Sequence, residues 1–308
     1  MATSRPFEDI LNVVHQQQEI EETGSEKKPD FNREIQSEAD QGFSKIVAWL
    51  AKSQGAAQAS LAEAHICVLA SSYQGNSAVK DVSAFAKNAS HGKEAINRLC
   101  VDHGIGLRVL EMAPEIPHKR GSDWSEIDCT KAAAFGMEAA ASGGELLGLS
   151  AVAPGNIAGN IAIQASCSKD GSEHWLKAVP EKIRDEFYDN ACQLVEKHHA
   201  DVTHPLDAVR VFGGREVAAS LGALLAARSR RIAVVFDGWA AISAYSVLEA
   251  IREGSCSHAR LASVDGWLQQ FVAERAGLNS LVGVHVDTGP GCGSALSVSI
   301  LKGACDLQ

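Results

Sequence analysis

The chain has 308 residues, of which 45% are hydrophobic and 21% are charged, so it can bury the core of one large domain or two of ordinary size. Aromatic residues make up only 6% of the sequence, which favours tightly packed helices and glycine loops over an aromatic-rich β-sandwich. The formal net charge of −10 argues against a broad nucleic-acid-binding surface, although a helix N-terminus can still bind a single phosphate.

Eight cysteines occur, and none forms a C-x-x-C pair, which argues against a zinc ribbon or a thioredoxin-like site. We expect them to be buried free thiols in a reducing, cytoplasmic protein. The first residues lack the pattern of a secretory signal. No apolar stretch is long enough to span a membrane, so no membrane partner is expected.

The N-terminal 40 residues are polar and are predicted to be a partly flexible segment. Within it, residues 7–14 have an amphipathic helical pattern, and residues 24–29 are typical of a linker. Ordered structure is expected to begin near Phe43, with a helix that ends at Gly55. Residues 41–308 are then predicted to form one α/β domain.

Beyond this first helix, short apolar runs alternate with helical patterns. Strands are predicted within residues 65–71, 106–112, 144–156, 231–238, 258–266 and 281–287. Such alternation implies right-handed βαβ units and a parallel, Rossmann-like sheet with helices on both faces. Ligands bind such sheets at the carboxyl ends of the strands, so the loops that follow strands are the candidates for a site.

Four glycine-containing loops are predicted to connect a strand to a helix. They are residues 153–156, 212–216, 236–239 and 288–293. Glycine lets the backbone approach an anion, and the helix dipole favours negative charge there, although a glycine at such a turn is more often a packing requirement than a phosphate site. None of these loops is a P-loop, a dinucleotide fingerprint or a nucleophile elbow, so no cofactor is predicted.

Two further features leave alternatives open. Asp237 directly follows a buried apolar strand, where it is either a site residue or the cap of the next helix. His198, His199 and His204 cluster in the sequence, but no acid completes an H-E-x-x-H pattern. They are interpreted as surface histidines, and no metal is predicted.

Taken in order, these loops resemble the nicotinate-nucleotide–dimethylbenzimidazole phosphoribosyltransferases of cobalamin assembly. Residues 213–244, 289–296 and 151–156 are similar to the family's G-G-x-E-I-A-A, G-E-G-[ST]-G-A-A-L and G-E-M-G-I-G-N segments. The resemblance extends over roughly residues 43–308. It implies a homodimer with a small helical subdomain built from the N- and C-terminal segments. It also implies exchange of the nicotinate of nicotinate mononucleotide for a benzimidazole-type base, with α-ribazole phosphate as the product.

The resemblance also implies site residues. The implied phosphate- and nucleotide-binding positions are Gly155, Asn156, Lys182, Gly213, Gly214, Gly289, Gly291 and Gly293. Lys182 is included because it lies in a predicted helix at about the right distance after Gly155. Ser83 and Phe85 match positions near the family's base pocket. The family's E-P-G-H segment reads V-D-G-W at residues 264–267.

Two glutamates of the family pattern are replaced in this chain. Pro290 stands where the family has the glutamate that takes a proton from the attacking base, and Ala151 replaces the glutamate of the second loop. If the chain is active, either Asp287, Asp237 or Glu216 supplies the general base, or the enzyme acts on a lower-ligand base that needs less help. The alternatives are a non-catalytic relative, which pairs with an active paralogue or senses a ligand, and a diverged domain that keeps only the fold.

Overall fold

The computed structural model describes residues 6–20, 42–74, 79–121 and 124–307. The predicted linker at residues 24–29 lies outside these ranges. The α-helices are α1 (Pro6–Gln16), α2 (Phe43–Gln54), α3 (Val79–Ser90), α4 (Ala95–Asp102), α5 (Glu126–Gly136), α6 (Ile157–Ser166), α7 (Ser172–Lys177), α8 (Glu186–His198), α9 (Pro205–Phe212), α10 (Arg215–Ser229), α11 (Trp239–Ile251), α12 (Trp267–Arg275) and α13 (Cys292–Cys305). Short 3-10 helices lie at Met137–Ala140, Glu181–Ile183 and His199–Asp201.

The strands form one parallel sheet, which confirms the Rossmann-like prediction. They are β1 (Ala64–Ala70), β2 (Gly106–Glu111), β3 (Leu146–Val152), β4 (Ala233–Asp237) and β5 (Ala259–Ser263). Their order across the sheet is β2-β1-β3-β4-β5, and every neighbouring pair is parallel. The strand order reverses between β1 and β3, and in such sheets the crevice beyond the carboxyl ends is where ligands bind.

Helices cover both faces of the sheet, as predicted. Alternate strand residues point to opposite faces, so Leu69 and Phe236 join the apolar cluster formed with α5, α6, α10 and α11. Ile66 and Val235 join the second cluster, which α2, α4 and α13 complete. The helices of the N- and C-terminal segments, α2 and α13, pack on each other and directly on the sheet.

The N-terminal helix α1 belongs to the first helical layer. Phe7, Ile10 and Val14 bury their side chains there, which confirms the helical pattern predicted for residues 7–14. The Arg252 guanidinium donates hydrogen bonds to the carbonyl oxygens of Val14 at 3.1 Å and His15 at 3.2 Å. These bonds attach the C-terminal end of α1 to the residue that follows α11. The expectation that ordered structure begins only near residue 43 is therefore wrong.

The strand predicted at residues 281–287 is also wrong. The segment runs beside β5, where the Val282 amide donates to the Ala262 carbonyl at 2.9 Å. The chain then bends at Gly283, and Val284 is 67% exposed. A regular ladder of hydrogen bonds with β5 therefore does not form. The apolar alternation of this segment instead places Val286 at the wall of a cavity.

The helices α5 and α10 pack with their backbones in close contact at Gly222. A Cβ at Gly222 would overlap the backbone carbonyl of Ala133, and backbone cannot move aside cheaply. We expect Gly222→Ala to lower the free energy of unfolding by about 1–3 kcal/mol in urea denaturation, as overpacking does. Gly303→Ala in α13 is the matched control, because nothing lies within 4 Å of its Cβ position. It should raise stability by roughly 0.5–1 kcal/mol, and equal effects at the two sites would contradict the packing argument.

Candidate active site

A cavity of about 280 Å³ lies at the carboxyl edge of the sheet, against the ends of β3, β4 and β5. The segment that leads into α13 closes its remaining side. Its apolar wall consists of Val152, Pro154, Ile157, Val264, Val286 and Pro290. Its acidic groups are Asp237, Asp265 and Asp287. An apolar hollow with a few convergent polar groups is the usual form of a small-molecule site.

A second cavity, of about 390 Å³, adjoins the first. The residues that line both cavities are Ile157, Trp239, Asp265 and Gln269. Lys182, Arg184, Phe187 and Trp267 line only the second. The first cavity is therefore acidic and apolar, and the second adds cationic and aromatic side chains.

Asp237 fastens the last loop of the site to the sheet. Its carboxylate accepts hydrogen bonds from the Ser150 hydroxyl, from the Gly291 amide at 3.2 Å and from the Ser294 amide at 2.6 Å. Asp237 therefore lines the cavity and also caps a helix, but the helix is the distant α13 rather than the one that follows it. Burial raises the pKa of this carboxyl, and the same hydrogen bonds partly offset that rise.

The last glycine loop needs its glycines for conformation and close packing. Gly289 and Gly291 have φ values of 124° and 79°, in the left-handed region that favours glycine. A Cβ at Gly293 would overlap the Ser263 hydroxyl. Gly289, Pro290 and Gly293 line the first cavity, and Gly291 lies behind them as the donor to Asp237.

The loop after β3 presents the start of α6 to the same cavity. Gly155 has a φ of 91°, and its carbonyl accepts a hydrogen bond from the Arg120 guanidinium. Asn156 is the N-cap residue of α6 and lines the cavity, but its side chain caps no backbone amide. Gly238, the N-cap of α11, has no side chain to do so. Two helix N-termini therefore face the cavity with amides that no side chain caps.

Gly213 and Gly214 require a correction. They connect two helices, α9 and α10, and do not follow a strand. A Cβ at Gly214 would overlap the Tyr73 hydroxyl, and one at Gly213 would lie 2.7 Å from the Val209 carbonyl oxygen. Neither glycine lines either cavity, so packing explains both.

Glu216, a predicted alternative base, lies away from both cavities. It is fully buried and accepts hydrogen bonds from the Ser71 hydroxyl at 2.5 Å and from the Tyr73 hydroxyl. The Arg120 guanidinium packs over the Tyr73 ring at 4.1 Å. Burial, followed by the charge of Glu216, raises the pKa of Tyr73 well above its usual value. This carboxylate therefore holds the loop after β1 in place, and it cannot reach a ligand in the cavities.

The residues predicted for the base pocket lie on α3, outside both cavities. Ser83 is exposed to solvent, and Phe85 is buried in the apolar cluster on the second face of the sheet. Neither side chain is among those that line the two cavities. The predicted base pocket is therefore displaced from the acidic groups, and the apolar wall of the first cavity is the better candidate for a ring.

Asp265 is an acid of the site that was not predicted from the sequence. It lies two residues beyond the end of β5 (Ala259–Ser263), and Asp237 is the last residue of β4 (Ala233–Asp237), so both acids stand at the carboxyl end of a strand, which was the available signal. It lines both cavities, whereas Asp287 lines the first alone. Burial at the cavity wall raises the pKa of Asp265, and the negative charges of Asp237 and Asp287 raise it further.

The predicted surface histidines are accounted for by local contacts. The His198 ring lies 3.0 Å from an Asp201 carboxylate oxygen, and the His204 ring accepts from the Leu206 amide at the start of α9. Across the described ranges, no three His, Cys, Asp or Glu side chains are grouped as metal ligands. All eight cysteines are free thiols, five of them buried. No helix in the described part of the chain is long and apolar enough to cross a membrane.

A parallel α/β sheet with a cavity at its carboxyl edge is the arrangement in which α/β proteins usually bind small molecules. A family model described as "Phosphoribosyltransferase" matches residues 42–308. The chain is 34% identical, over 226 residues, to a nicotinate-nucleotide–dimethylbenzimidazole phosphoribosyltransferase of Sinorhizobium sp, covering 71% of this chain and 67% of that protein. Its identity to the Rhizobium meliloti protein of the same name is 33%, with the same coverage.

Solved structures support the fold. The crystal structure of CobT from Thermus thermophilus superposes with a TM-score of 0.72 at 19% identity, covering 99% of this chain and 96% of that one. At this identity the likeness concerns the fold. The family model and the relatives together place the chain among the phosphoribosyltransferases. It belongs to the nicotinate-nucleotide–dimethylbenzimidazole phosphoribosyltransferase family.

Proposed function

We propose that this chain transfers a phosphoribosyl group from nicotinate mononucleotide to a benzimidazole-type base, with α-ribazole phosphate and nicotinate as products. The names of its relatives support the substrates. The observation that best supports catalytic activity in this chain is the position of Asp287 and Asp265. Their carboxylates line the same cavity as Pro290 and Ala151, so acids face the cavity although both family glutamates are replaced.

The base occupies the first cavity, against its apolar wall. One ring nitrogen attacks C1′ of the ribose, and the C1′–nitrogen bond to nicotinate breaks, with its electron pair going to the pyridine nitrogen. The N–H proton on the base's other nitrogen passes to the Asp287 carboxylate, a general base at the entrance to the last loop. Asp265 lines both cavities, where its negative charge stabilises the positive charge that develops at C1′.

The phosphate is assigned to backbone amides. The N-termini of α6 and α11 reach the first cavity at Asn156 and Gly238, and no side chain caps them. The helix dipole and the free amides favour an anion at this point. Gly155 and the glycines of the last loop form the backbone turns around this point, so we retain them among the proposed nucleotide-binding residues.

The direct test is to incubate the purified protein with nicotinate mononucleotide and dimethylbenzimidazole, and to follow both products by chromatography. We expect nicotinate and α-ribazole phosphate to appear in equal amounts. Nicotinate without the ribazole product would indicate hydrolysis instead. Absence of turnover at protein concentrations near those of the substrates would contradict the proposal.

Restoring the family's acids should increase turnover. Pro290 and Ala151 both line the first cavity, so Glu side chains at these positions would enter the space assigned to the base. We expect the Pro290→Glu, Ala151→Glu double variant to raise kcat about tenfold or more, because a well-placed general base contributes roughly 10²–10⁴-fold. The Ala151→Gln, Pro290→Gln double variant controls for bulk. Equal rates in the two double variants would show that the cavity does not place these positions at the base.

The replacement of both glutamates favours one alternative, a non-catalytic subunit or ligand sensor. In that case nicotinate mononucleotide or the base binds in calorimetric titration without turnover. Mixing with a relative that has both glutamates would then give a heterodimer in analytical ultracentrifugation, whereas the proposed enzyme sediments as a homodimer by itself.

A further inference from the structure

Arg120 joins three segments behind the wall of the first cavity. Its Nε donates a hydrogen bond to the Phe212 carbonyl oxygen at 3.1 Å, where α9 ends, and a terminal nitrogen donates to the Gly155 carbonyl oxygen. A Cβ at Gly159, in the first turn of α6, would lie 2.7 Å from the same Nε. The guanidinium therefore lies directly against the start of α6, whose first residues line the first cavity.

A buried carboxylate fixes Arg120 from its other side. The guanidinium packs over the Tyr73 ring, 4.1 Å from its centroid, and the Tyr73 hydroxyl donates to the fully buried Glu216 carboxylate. The His118 ring meets the same Tyr73 ring edge-on. Burial, followed by the charges of Arg215 and Arg120, lowers the pKa of His118 to about 4, so its ring is uncharged near neutral pH. Stacking and the charge of Glu216 thus hold the guanidinium in one place against α6.

The charge of Arg120 is of the wrong sign for helix stability but of the right sign for binding an anion. The N-terminus of α6 already carries the positive end of the helix dipole. The described residues that line the first cavity include the carboxylates of Asp237, Asp265 and Asp287, but no lysine or arginine. A phosphate bound by the amides of α6 would be repelled by these acids. A guanidinium behind the first turn of the helix opposes that repulsion.

We infer that Arg120 is a positioning residue for the phosphate of the mononucleotide: it orients the Gly155 turn and the first turn of α6, and it adds positive charge behind the amides. This role depends on the proposed function, which assigns the phosphate to those amides. Arg120 lines neither cavity, so it acts without touching the ligand. Glu216 and Tyr73 act one step further away, because they hold Arg120.

The test compares nicotinate mononucleotide with its riboside, which lacks only the phosphate, in calorimetric titrations of the full chain. We expect the natural chain to bind the mononucleotide at least about tenfold more tightly, and Arg120→Met to weaken that binding about fivefold to tenfold. Affinity for the riboside should not change. Arg120→Lys keeps the charge and should retain most of the preference.

Arg230→Met is the matched control. Arg230 also donates to a backbone carbonyl, that of Ala140 at 3.0 Å, but it precedes β4 and so lies at the amino edge of the sheet. Its loss should leave the preference for the mononucleotide intact. If Arg120→Met folds poorly, Arg120→Gln provides a second route, because it keeps one donor for the carbonyl oxygens and removes only the charge. It should show the same selective loss.

A purely structural role predicts a different result, in which Arg120→Met weakens the mononucleotide and the riboside equally. That outcome would overturn the inference, as would an unchanged affinity for the mononucleotide or a natural chain without any preference for it. Loss of the preference in Lys182→Met but not in Arg120→Met would place the phosphate in the second cavity and would also overturn it.

Kinetics separate this role from the proposed function. In an active chain, Arg120→Met should raise KM for the mononucleotide and change kcat and KM for the base by less than about twofold, as loss of uniform binding does. A selective loss of mononucleotide binding in a chain without turnover would support the role of Arg120 while contradicting the proposed function. Turnover with equal KM values in Arg120→Met and the natural chain would do the reverse.

Discussion

Replacing Asp287 by asparagine is expected to lower kcat for phosphoribosyl transfer by roughly 10²- to 10⁴-fold, the usual contribution of a general base. The amide keeps the size of the side chain but cannot take the proton from the attacking base. Asp287 lines the first cavity and is exposed, so the substitution should leave the fold intact. KM for nicotinate mononucleotide should change little, because the proton is transferred only as the new bond forms. Steady-state kinetics with both substrates varied would measure the effects on kcat and on KM separately.

Two matched variants separate this role from a general effect of charge. Asp306→Asn removes an acid from the far end of α13 and should leave kcat unchanged. Asp265→Asn should lower kcat by a similar order as Asp287→Asn if it stabilises the charge at C1′, and the double variant should lose less than the product of the two effects. A fully active Asp287→Asn enzyme would rule out this carboxylate as the base.

The pH dependence gives an independent check on the arrangement of these acids. The pKa of Asp265 is raised first by burial and then by the charges of Asp237 and Asp287. Activity should therefore fall as the pH drops through this raised pKa, where Asp265 gains a proton and loses its charge. Removing the charge of Asp287 lowers the pKa of Asp265, so the acid limb of the residual activity in Asp287→Asn should shift to lower pH. An unchanged acid limb would show that the two carboxylates do not interact.

Most of the sheet was predictable because its strands are short, nearly continuous apolar runs. β1 and β4 are buried on both faces, and their lengths of seven and five residues are those of a strand rather than of a buried helix. Residues 281–287 fail for the opposite reason. Their alternating pattern is that of a half-buried strand, but it arises because one side of an irregular segment lines a cavity. Apolar alternation in the sequence cannot distinguish a strand of a sheet from an irregular segment that lines a cavity.

The site was only partly predictable, since its parts come together through the sheet. Asp237 was identified by its place after a strand, but its partner helix α13 lies more than fifty residues further on. Asp265 holds the same kind of position and was passed over, because the family pattern directed attention to glutamate. Gly213 and Gly214 were misplaced because a glycine required by packing, against the Val209 carbonyl or against Tyr73, looks the same in sequence as one that binds phosphate.

Replacing Asp237 by asparagine should produce the largest loss of stability among the acids of the site. The Asp237 carboxylate is buried and accepts hydrogen bonds from Ser150, Gly291 and Ser294. An asparagine turns one acceptor into a donor, so it cannot accept all three hydrogen bonds, although the Gly291 amide keeps a second acceptor in the Ser150 hydroxyl oxygen at 2.9 Å. We expect the free energy of unfolding to fall by about 1–3 kcal/mol in urea denaturation. The exposed Asp287→Asn should stay within about 0.5 kcal/mol of the natural chain, as surface substitutions usually do.

The pH dependence of stability distinguishes loss of this buried acid from a packing defect. Folding raises the pKa of Asp237, so the folded state holds the proton more tightly than the unfolded state does. Its contribution is therefore fully present below the unfolded pKa and is lost as the pH rises through the folded value. Asp237→Asn should remove that decline, and its stability should depend less on pH across this window. Because the same carboxylate holds the Gly291 amide, the variant should also lose affinity for the base in the first cavity. A variant that loses stability but keeps both the decline with pH and the affinity for the base would show that Asp237 does not organise the last loop.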